Sequence, residues 1–151
     1  MRRSEKEITD QSAIEAIINA SLVCRLALSD GDQPYIVPLS FGYQDRTLYF
    51  HSALEGKKID TIKINNRICF EFDLNTKIIE AEKACKLGIK YQSVIGFGKA
   101  VFVEDIEEKQ KALNIIISHY SDRNFQFPDK AIKKTAIIKI KIESMTGKQS
   151  S

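Results

Sequence analysis

The residues best equipped for chemistry lie in one short stretch, Thr47-Leu-Tyr-Phe-His51-Ser52-Ala-Leu-Glu-Gly56-Lys57-Lys58-Ile-Asp60. Its apolar start predicts a strand ending at His51-Ser52, and a helix is expected from Gly56 to about Asn65. That helix would open on two lysines. A helix N-terminus already carries roughly half a positive charge, so ammonium groups there are unfavourable unless an anion sits among them. A phosphate monoester would be held by the free N–H groups, by Lys57 and Lys58, and by the Ser52 hydroxyl. The competing reading is two solvated lysines snorkelling from a surface helix.

A second feature is the apolar run Tyr35-Ile36-Val37-Pro38-Leu39-Ser40-Phe41. Proline cannot donate to a strand ladder, so Pro38 marks an edge or a bulge where neighbouring backbone groups stay free. Free N–H and C=O groups on an apolar edge could read the polar rim of a flat heterocycle; an ordinary edge strand is the alternative.

The remaining chemistry is sparse. The only histidines are His51 and His119, and without an H-x-x-x-H or a cysteine cluster no metal centre is expected. His119 follows Ile115-Ile116-Ile117 at a predicted helix C-terminus, where dipole stabilisation or surface placement accounts for it. Cys24, Cys69 and Cys85 cannot all pair and include no C-x-x-C. Cys24 and Cys69 lie in strand-like runs and read as small buried hydrophobes, whereas Cys85 sits in a polar stretch. Gly96-Phe-Gly98 lacks the third glycine of a dinucleotide loop, Gly56-Lys57-Lys58 is not a P-loop, and no G-x-S-x-G occurs.

The elements that must position these groups follow from periodicity. Thr9 or Asp10 caps a short helix running to about Ala20, with Ile14, Ile17 and Ile18 on one stripe. Strands are expected over Leu22–Leu28, Tyr35–Phe41, Thr47–His51, Arg67–Asp73, Tyr91–Glu104 and Thr135–Glu143, with turns at Ser29–Asp32 and Gly42–Asp45. The long strand carries Gly96 and Gly98, where a bulge or a close backbone approach is expected. Asp105 caps a helix to Tyr120 with Leu113, Ile116 and Ile117 on one face. Residues 75–90 give no clear period. About six strands joined mostly by tight turns imply an antiparallel sheet that curls and closes, so the expected fold is a mainly β (α+β), six-stranded antiparallel barrel with peripheral helices, split in the family it resembles below.

Length and composition agree with one domain: 151 residues, 43% hydrophobic and 28% charged, spanning 1–151 with a flexible leader over 1–9. Disordered and collagenous classes are excluded. No apolar run reaches the roughly 18 residues needed to span a bilayer. Arg2-Arg3 is followed by Ser4-Glu5-Lys6-Glu7 rather than an apolar segment, so no export signal is read and a cytoplasmic location is expected. A net charge of +3 permits an anionic ligand without calling for nucleic acid. Lys133, Lys134, Lys139 and Lys141 lack interleaved aromatics and read as edge protection.

Taken together, Pro34-Tyr35-Ile-Val37-Pro38-Leu-Ser40-Phe41-Gly42-Tyr43 and Leu48-Tyr49-Phe50-His51-Ser52-Ala-Leu-Glu-Gly56-Lys57-Lys58 make the chain resemble the pyridoxamine 5′-phosphate oxidase-like split-barrel flavoproteins. Within them it is similar to the group that includes the 5-nitroimidazole resistance (Nim) proteins. Further matches are Arg67-Ile-Cys69-Phe70-Glu71, Tyr91-Gln-Ser93-Val-Ile-Gly96-Phe-Gly98-Lys-Ala100 and Met145-Thr-Gly147-Lys148. The resemblance implies FMN bound in a cleft shared by the two subunits of a homodimer. The strand from Tyr35 to Ser40 (Tyr35, Ile36, Val37, Pro38, Leu39, Ser40) would lie along the isoalloxazine. His51 and Ser52 would contact phosphate and ribityl chain, Lys57 and Lys58 would neutralise the phosphate, and Ser93 would reach the flavin from the long strand. It further implies that His51 takes part near the redox site.

Two departures matter. The C-terminal Trp and Arg of the true pyridoxamine phosphate oxidases have no counterpart, so oxidation of vitamin B6 is not expected; and Ser93 is shorter than the usual Gln. The expected function is an FMN-dependent oxidoreductase that passes electrons from a reduced nicotinamide or another donor to a small acceptor, a nitroaromatic among the candidates. The alternatives are a non-catalytic flavin- or haem-binding protein of the same fold, with His51 or His119 as iron ligand, and a ligand-free interaction module.

Overall fold

The computed structural model describes residues 1–151. In chain order the elements are β1 (Glu7–Ile8), α1 (Gln11–Ala20), β2 (Cys24–Asp30), β3 (Gln33–Leu39), β4 (Gly42–Gln44) and β5 (Thr47–Ala53). There follow α2 (Lys57–Ile64), β6 (Arg67–Ile79), β7 (Gly88–Val103), α3 (Ile106–Tyr120), α4 (Asp129–Lys133) and β8 (Thr135–Ser150). No helix is long and apolar enough to cross a membrane.

The strands form one antiparallel sheet in the order β3-β2-β6-β7-β8-β5-β4, with β1 paired to the end of β8. β3 and β4 are the two ends of this sheet, yet only Ser40 and Phe41 join them. Three Cα–Cα steps reach at most about 11 Å. The sheet must therefore curl until its ends approach, and the result is an unclosed barrel. The split barrel is thus as expected, but built from eight strands rather than six.

Alternation decides what the barrel encloses. Leu48 and Phe50 of β5, Phe70 and Phe72 of β6, and Ile138 and Ile140 of β8 are fully buried inside, with Ile14, Ile17 and Ile18 of α1 and Ile59 and Ile62 of α2 closing over them. A smaller cluster, Val103, Ala112, Leu113, Ile132 and Ile137, lies on the opposite face of β7 and β8 under α3 and α4. Asp10 and Asp105 cap α1 and α3 as expected, each accepting an N–H at 3.1 Å, from Ala13 and Glu108.

The differences from expectation have local causes. The turn placed at Gly42–Asp45 lies one notch later: Asp45 and Arg46 take positive φ values of 51° and 55°, the signature of a two-residue type I′ hairpin, and Gly42–Gln44 is a strand. Gly42 belongs to that strand because its Cα presses on α3, where a Cβ would meet the Ile116 backbone nitrogen at 2.7 Å. β6 and β7 extend as a hairpin arm into the stretch without clear period, and β8 runs on from Glu143 to Ser150 through a bulge opposite Phe97/Gly98. Gly96 lies directly against the Phe70 ring, the close approach its residue type suggested. The leader expected to be flexible over 1–9 is held at its end, where Glu7 and Ile8 pair with Lys148 and Gly147 and Lys6 Nζ donates to Ser150 Oγ at 3.1 Å. Cys24 is buried, Cys69 half-buried and Cys85 exposed, all three free.

Candidate functional site

The site is built on β3, which has a neighbour on one side only, β2. Its opposite edge is unpaired along Tyr35–Leu39, in keeping with Pro38 in the strand. Tyr35, Val37 and Leu39 pack toward the barrel core, while Ile36 and Pro38 point away from it.

Two clusters flank that strand. At the Tyr35 end, α2 brings Lys57 to the strand, and its Nζ lies 4.5 Å from the centre of the Tyr35 ring, a cation–π contact. The N-cap of α2 is Gly56, whose φ of +138° an L side chain rarely adopts; no side-chain cap satisfies the first N–H groups of the helix. Lys58 is half-buried, and desolvation holds its ammonium below the ordinary lysine range. Uncapped donors, an ammonium on an aromatic ring and a second, partly desolvated ammonium together suit an anionic group at this corner.

At the other end, Ser40 follows β3 and its Oγ lies 3.4 Å from His51 Nε2. His51 alternates with the buried Phe50 and pairs across the sheet with Ile137, so it stands on the face that carries α3 and α4. Ser52 points the other way and is half-buried. His51 and Lys57 thus stand at different ends of β3, although only five residues separate them in the chain. Five residue steps along a strand, Tyr35 to Ser40, span about 17 Å.

Ser93 stands apart. It is on β7, with β2 and β6 between it and β3, a separation of about 14 Å at ~4.8 Å per strand. Its cross-strand partners are Asp73 and Lys148, on the face turned away from the barrel core. Within one chain Ser93 cannot touch a ring lying on β3.

Sequence patterns did not disclose the fastening of this corner. His119, expected at the surface or serving the helix dipole, is instead half-buried: its Nε2 lies 2.6 Å from Ser21 O and its ring 4.3 Å from that of Phe41. Tyr120 Oη accepts the Phe41 N–H at 3.0 Å and donates to Leu22 O at 2.7 Å. These contacts tie the β3–β4 corner, and with it Ser40, to the end of α3. A His-Tyr pair closing a long amphipathic helix is the only trace in the sequence. No cluster of three or more His, Cys, Asp or Glu residues is placed to hold a metal ion.

An open antiparallel barrel with a half-free edge strand and a basic corner defines the class of protein. A profile of the family described as Pyridoxamine 5'-phosphate oxidase matches residues 10–149, and the chain belongs to that family. Among solved structures it is similar to a candidate 5-nitroimidazole antibiotic resistance protein from Bacteroides thetaiotaomicron, with 38% identity, a TM-score of 0.87, and coverage of 95% of this chain and 86% of that one. A FAD-binding protein from Mesorhizobium loti is 26% identical, with a TM-score of 0.69 and coverage of 94% and 96%. The flavocytochrome Anf3 from Azotobacter vinelandii, at 20% identity, shares the fold, with a TM-score of 0.88 over 100% of this chain and 72% of that one. An uncharacterized protein of Rhizobium meliloti is 30% identical over 64 residues, and the match spans 42% of each chain.

Proposed function

We propose that this protein binds FMN along β3 and transfers electrons from a reduced nicotinamide or another donor to a small acceptor, nitroaromatics among them. The observation that carries the reading is the free edge of β3 with an anion-suited corner at its Tyr35 end and a Ser–His pair at its Ser40 end. The intervening ~17 Å suits an extended flavin mononucleotide. Lys57, Lys58 and the first N–H groups of α2 hold the phosphate, and the backbone of Tyr35–Ser40 meets the ring system. His51 and Ser40 stand at the ring end, where a protonated imidazole would favour negative charge and a neutral one would not. FMN itself supplies the hydride and electron chemistry. In this reading His51 serves the ring rather than the phosphate, while Ser52, on the opposite face of β5, remains with the ribityl–phosphate end.

The protein acts as a homodimer in this reading, and the outward sheet face supports it. Cross-strand neighbours share a face, so Ile36, Ala27, Cys69 and Phe97 form one row over four strands, with Arg25, Glu71 and Ile95 beside it. Ile36, Ile95 and Phe97 are 61%, 45% and 53% exposed, an apolar surface that a second copy would bury. Ser93 lies on this same face, so a partner seated there brings its own Ser93 toward β3 and completes a shared site.

The relatives lend support: the Mesorhizobium loti protein binds FAD, and the Bacteroides thetaiotaomicron protein is a candidate for nitroimidazole resistance. An absorption spectrum and mass analysis of the small molecule that copurifies test the reading. The two-banded spectrum of an oxidised flavin with the mass of FMN is expected. A Soret band would favour the haem-carrier alternative, and a colourless protein unmoved by added FMN would favour the interaction module.

A further inference from the structure

Behind His51 lies a cavity of about 200 Å³ between α3, α4 and the start of β8. Leu113, Ile116 and Ile117 of α3 form one wall, and Phe127, Ala131 and Ile132 the other. The only polar side chains in the lining are His51 and Thr135, and the Thr135 hydroxyl is already used, donating to Ala131 O at 3.0 Å. The imbalance comes from the sequence. α3 carries the stripe Leu113-Ile116-Ile117, and alternation along β5 turns His51 rather than Phe50 toward it.

The roof is fixed. Lys109 is 8% exposed, and its Nζ donates to Thr135 O at 2.9 Å and to Ile132 O at 3.5 Å. A buried ammonium that donates to Thr135 O at the start of β8 and to Ile132 O of α4 ties both to α3, so the cavity does not depend on a ligand to form it.

We propose that this cavity is a pocket for a compact, uncharged, single-ring molecule bearing one hydrogen-bond acceptor, and that Leu113, Ile117, Phe127 and Ala131 set its size limit. An apolar cavity of about 150 Å³ accepts benzene, so one of about 200 Å³ suits a single substituted ring better than a fused pair. A carboxylate entering it would lose its hydration with no counter-charge in the wall except a protonated His51. With Ser40 Oγ donating to His51 Nε2, one of the two directions their 3.4 Å contact allows, Nδ1 carries the ring proton and meets the acceptor of the ligand. The pocket admits the electron acceptor and excludes a dinucleotide donor; this assignment of the occupant as acceptor rests on the reading of His51 beside the flavin.

Acetophenone tests the pocket without being reduced in the assay. Titration of the purified protein, followed by ligand-observed NMR, is expected to give one saturable site per chain, with 2-acetonaphthone and benzoate binding far more weakly. Ala131→Phe and Ile117→Phe fill the cavity from opposite walls. Each should weaken acetophenone roughly tenfold or more, the scale on which an apolar pocket rejects added bulk, while the flavin absorbance is retained. Two variants from different elements guard against a folding defect in either. Equal affinity of both variants and the parent, equal affinity for the two-ring ketone, or the lack of a saturable site would overturn the proposal. The flavin reading fails separately: a Lys57→Glu, Lys58→Glu protein should lose flavin and still bind acetophenone as the parent does.

Discussion

Lys57 Nζ stands 4.5 Å over the ring of Tyr35, joining the first turn of α2 to the first half of the edge strand β3. The contact selects one position for a flexible ammonium, at the end of the helix whose first N–H groups have no side-chain cap. Cation–π contacts of this exposure contribute about 0.5–1 kcal/mol. Tyr35→Phe keeps the ring and should leave FMN affinity unchanged. Tyr35→Leu should weaken it by about two- to fivefold, the same energy expressed as a ratio. Fluorescence titration of the two variants checks this, and equal behaviour of both would separate the tyrosine ring from the site.

The Tyr120 hydroxyl bridges Phe41 N–H and Leu22 O, and Phe41 is fully buried. Tyr120→Phe leaves that N–H without its partner, a loss of about 1–3 kcal/mol for a buried polar group. The same change frees the corner that presents Ser40. We expect a lower urea midpoint together with weaker FMN binding, whereas a stability loss with unchanged affinity would make the bridge a matter of folding alone.

Gly42 packs on the backbone of α3, where a Cβ would meet Ile116 N at 2.7 Å and the Ile115 carbonyl carbon at 2.8 Å. Backbone cannot swing aside as a side chain can. Gly42→Ala should therefore destabilise the fold by about 1–3 kcal/mol, the range for overpacking, measured by chemical denaturation. Gly31→Ala is the control for space, since a Cβ there meets nothing within 4 Å and only its φ of +63° opposes it.

Glu71 on β6 shares Arg25 of β2 with Asp73, at 3.8 Å and 2.6 Å respectively. Burial, then the neighbouring Asp73, raises the Glu71 carboxyl above its ordinary range, with Arg25 pulling the other way. The folded chain therefore holds this proton more tightly than the unfolded chain does. Its contribution favours folding below the unfolded carboxyl pKa and is lost as pH rises through the elevated folded value. Glu71→Gln should gain stability relative to the parent as pH rises through that window and be no less stable than the parent at neutral pH. Urea midpoints across pH check this; parallel profiles would contradict it.

Much of the fold was legible because alternation is a local signal. Ile68, Phe70 and Phe72 against Cys69 and Glu71 mark a strand with one core face, and they form one. The end of β8 was not legible, since Glu143-Ser-Met-Thr-Gly147 carries no period and is a strand only because β7 and β1 lie on either side of it. β4 looked like a turn because Gly42 answers to the α3 backbone rather than to its own neighbours. At the site, the lysine pair and the proline strand were visible as residue types. The separation of His51 from Lys57 onto opposite ends of β3, and the cavity behind His51, depend on the curl of the sheet and on which face α3 covers, and neither has a local signature.

The central claim is that the corner formed by Lys57, Lys58 and the start of α2 grips the phosphate of FMN. Titration of flavin-depleted protein with FMN, parent against Lys57→Glu with Lys58→Glu, measures it directly. Saturable binding by the parent and at least about tenfold weaker binding by the variant are expected, since charge-assisted hydrogen bonds contribute ~1.5–3 kcal/mol each. Equal affinity of the two proteins for FMN would contradict it.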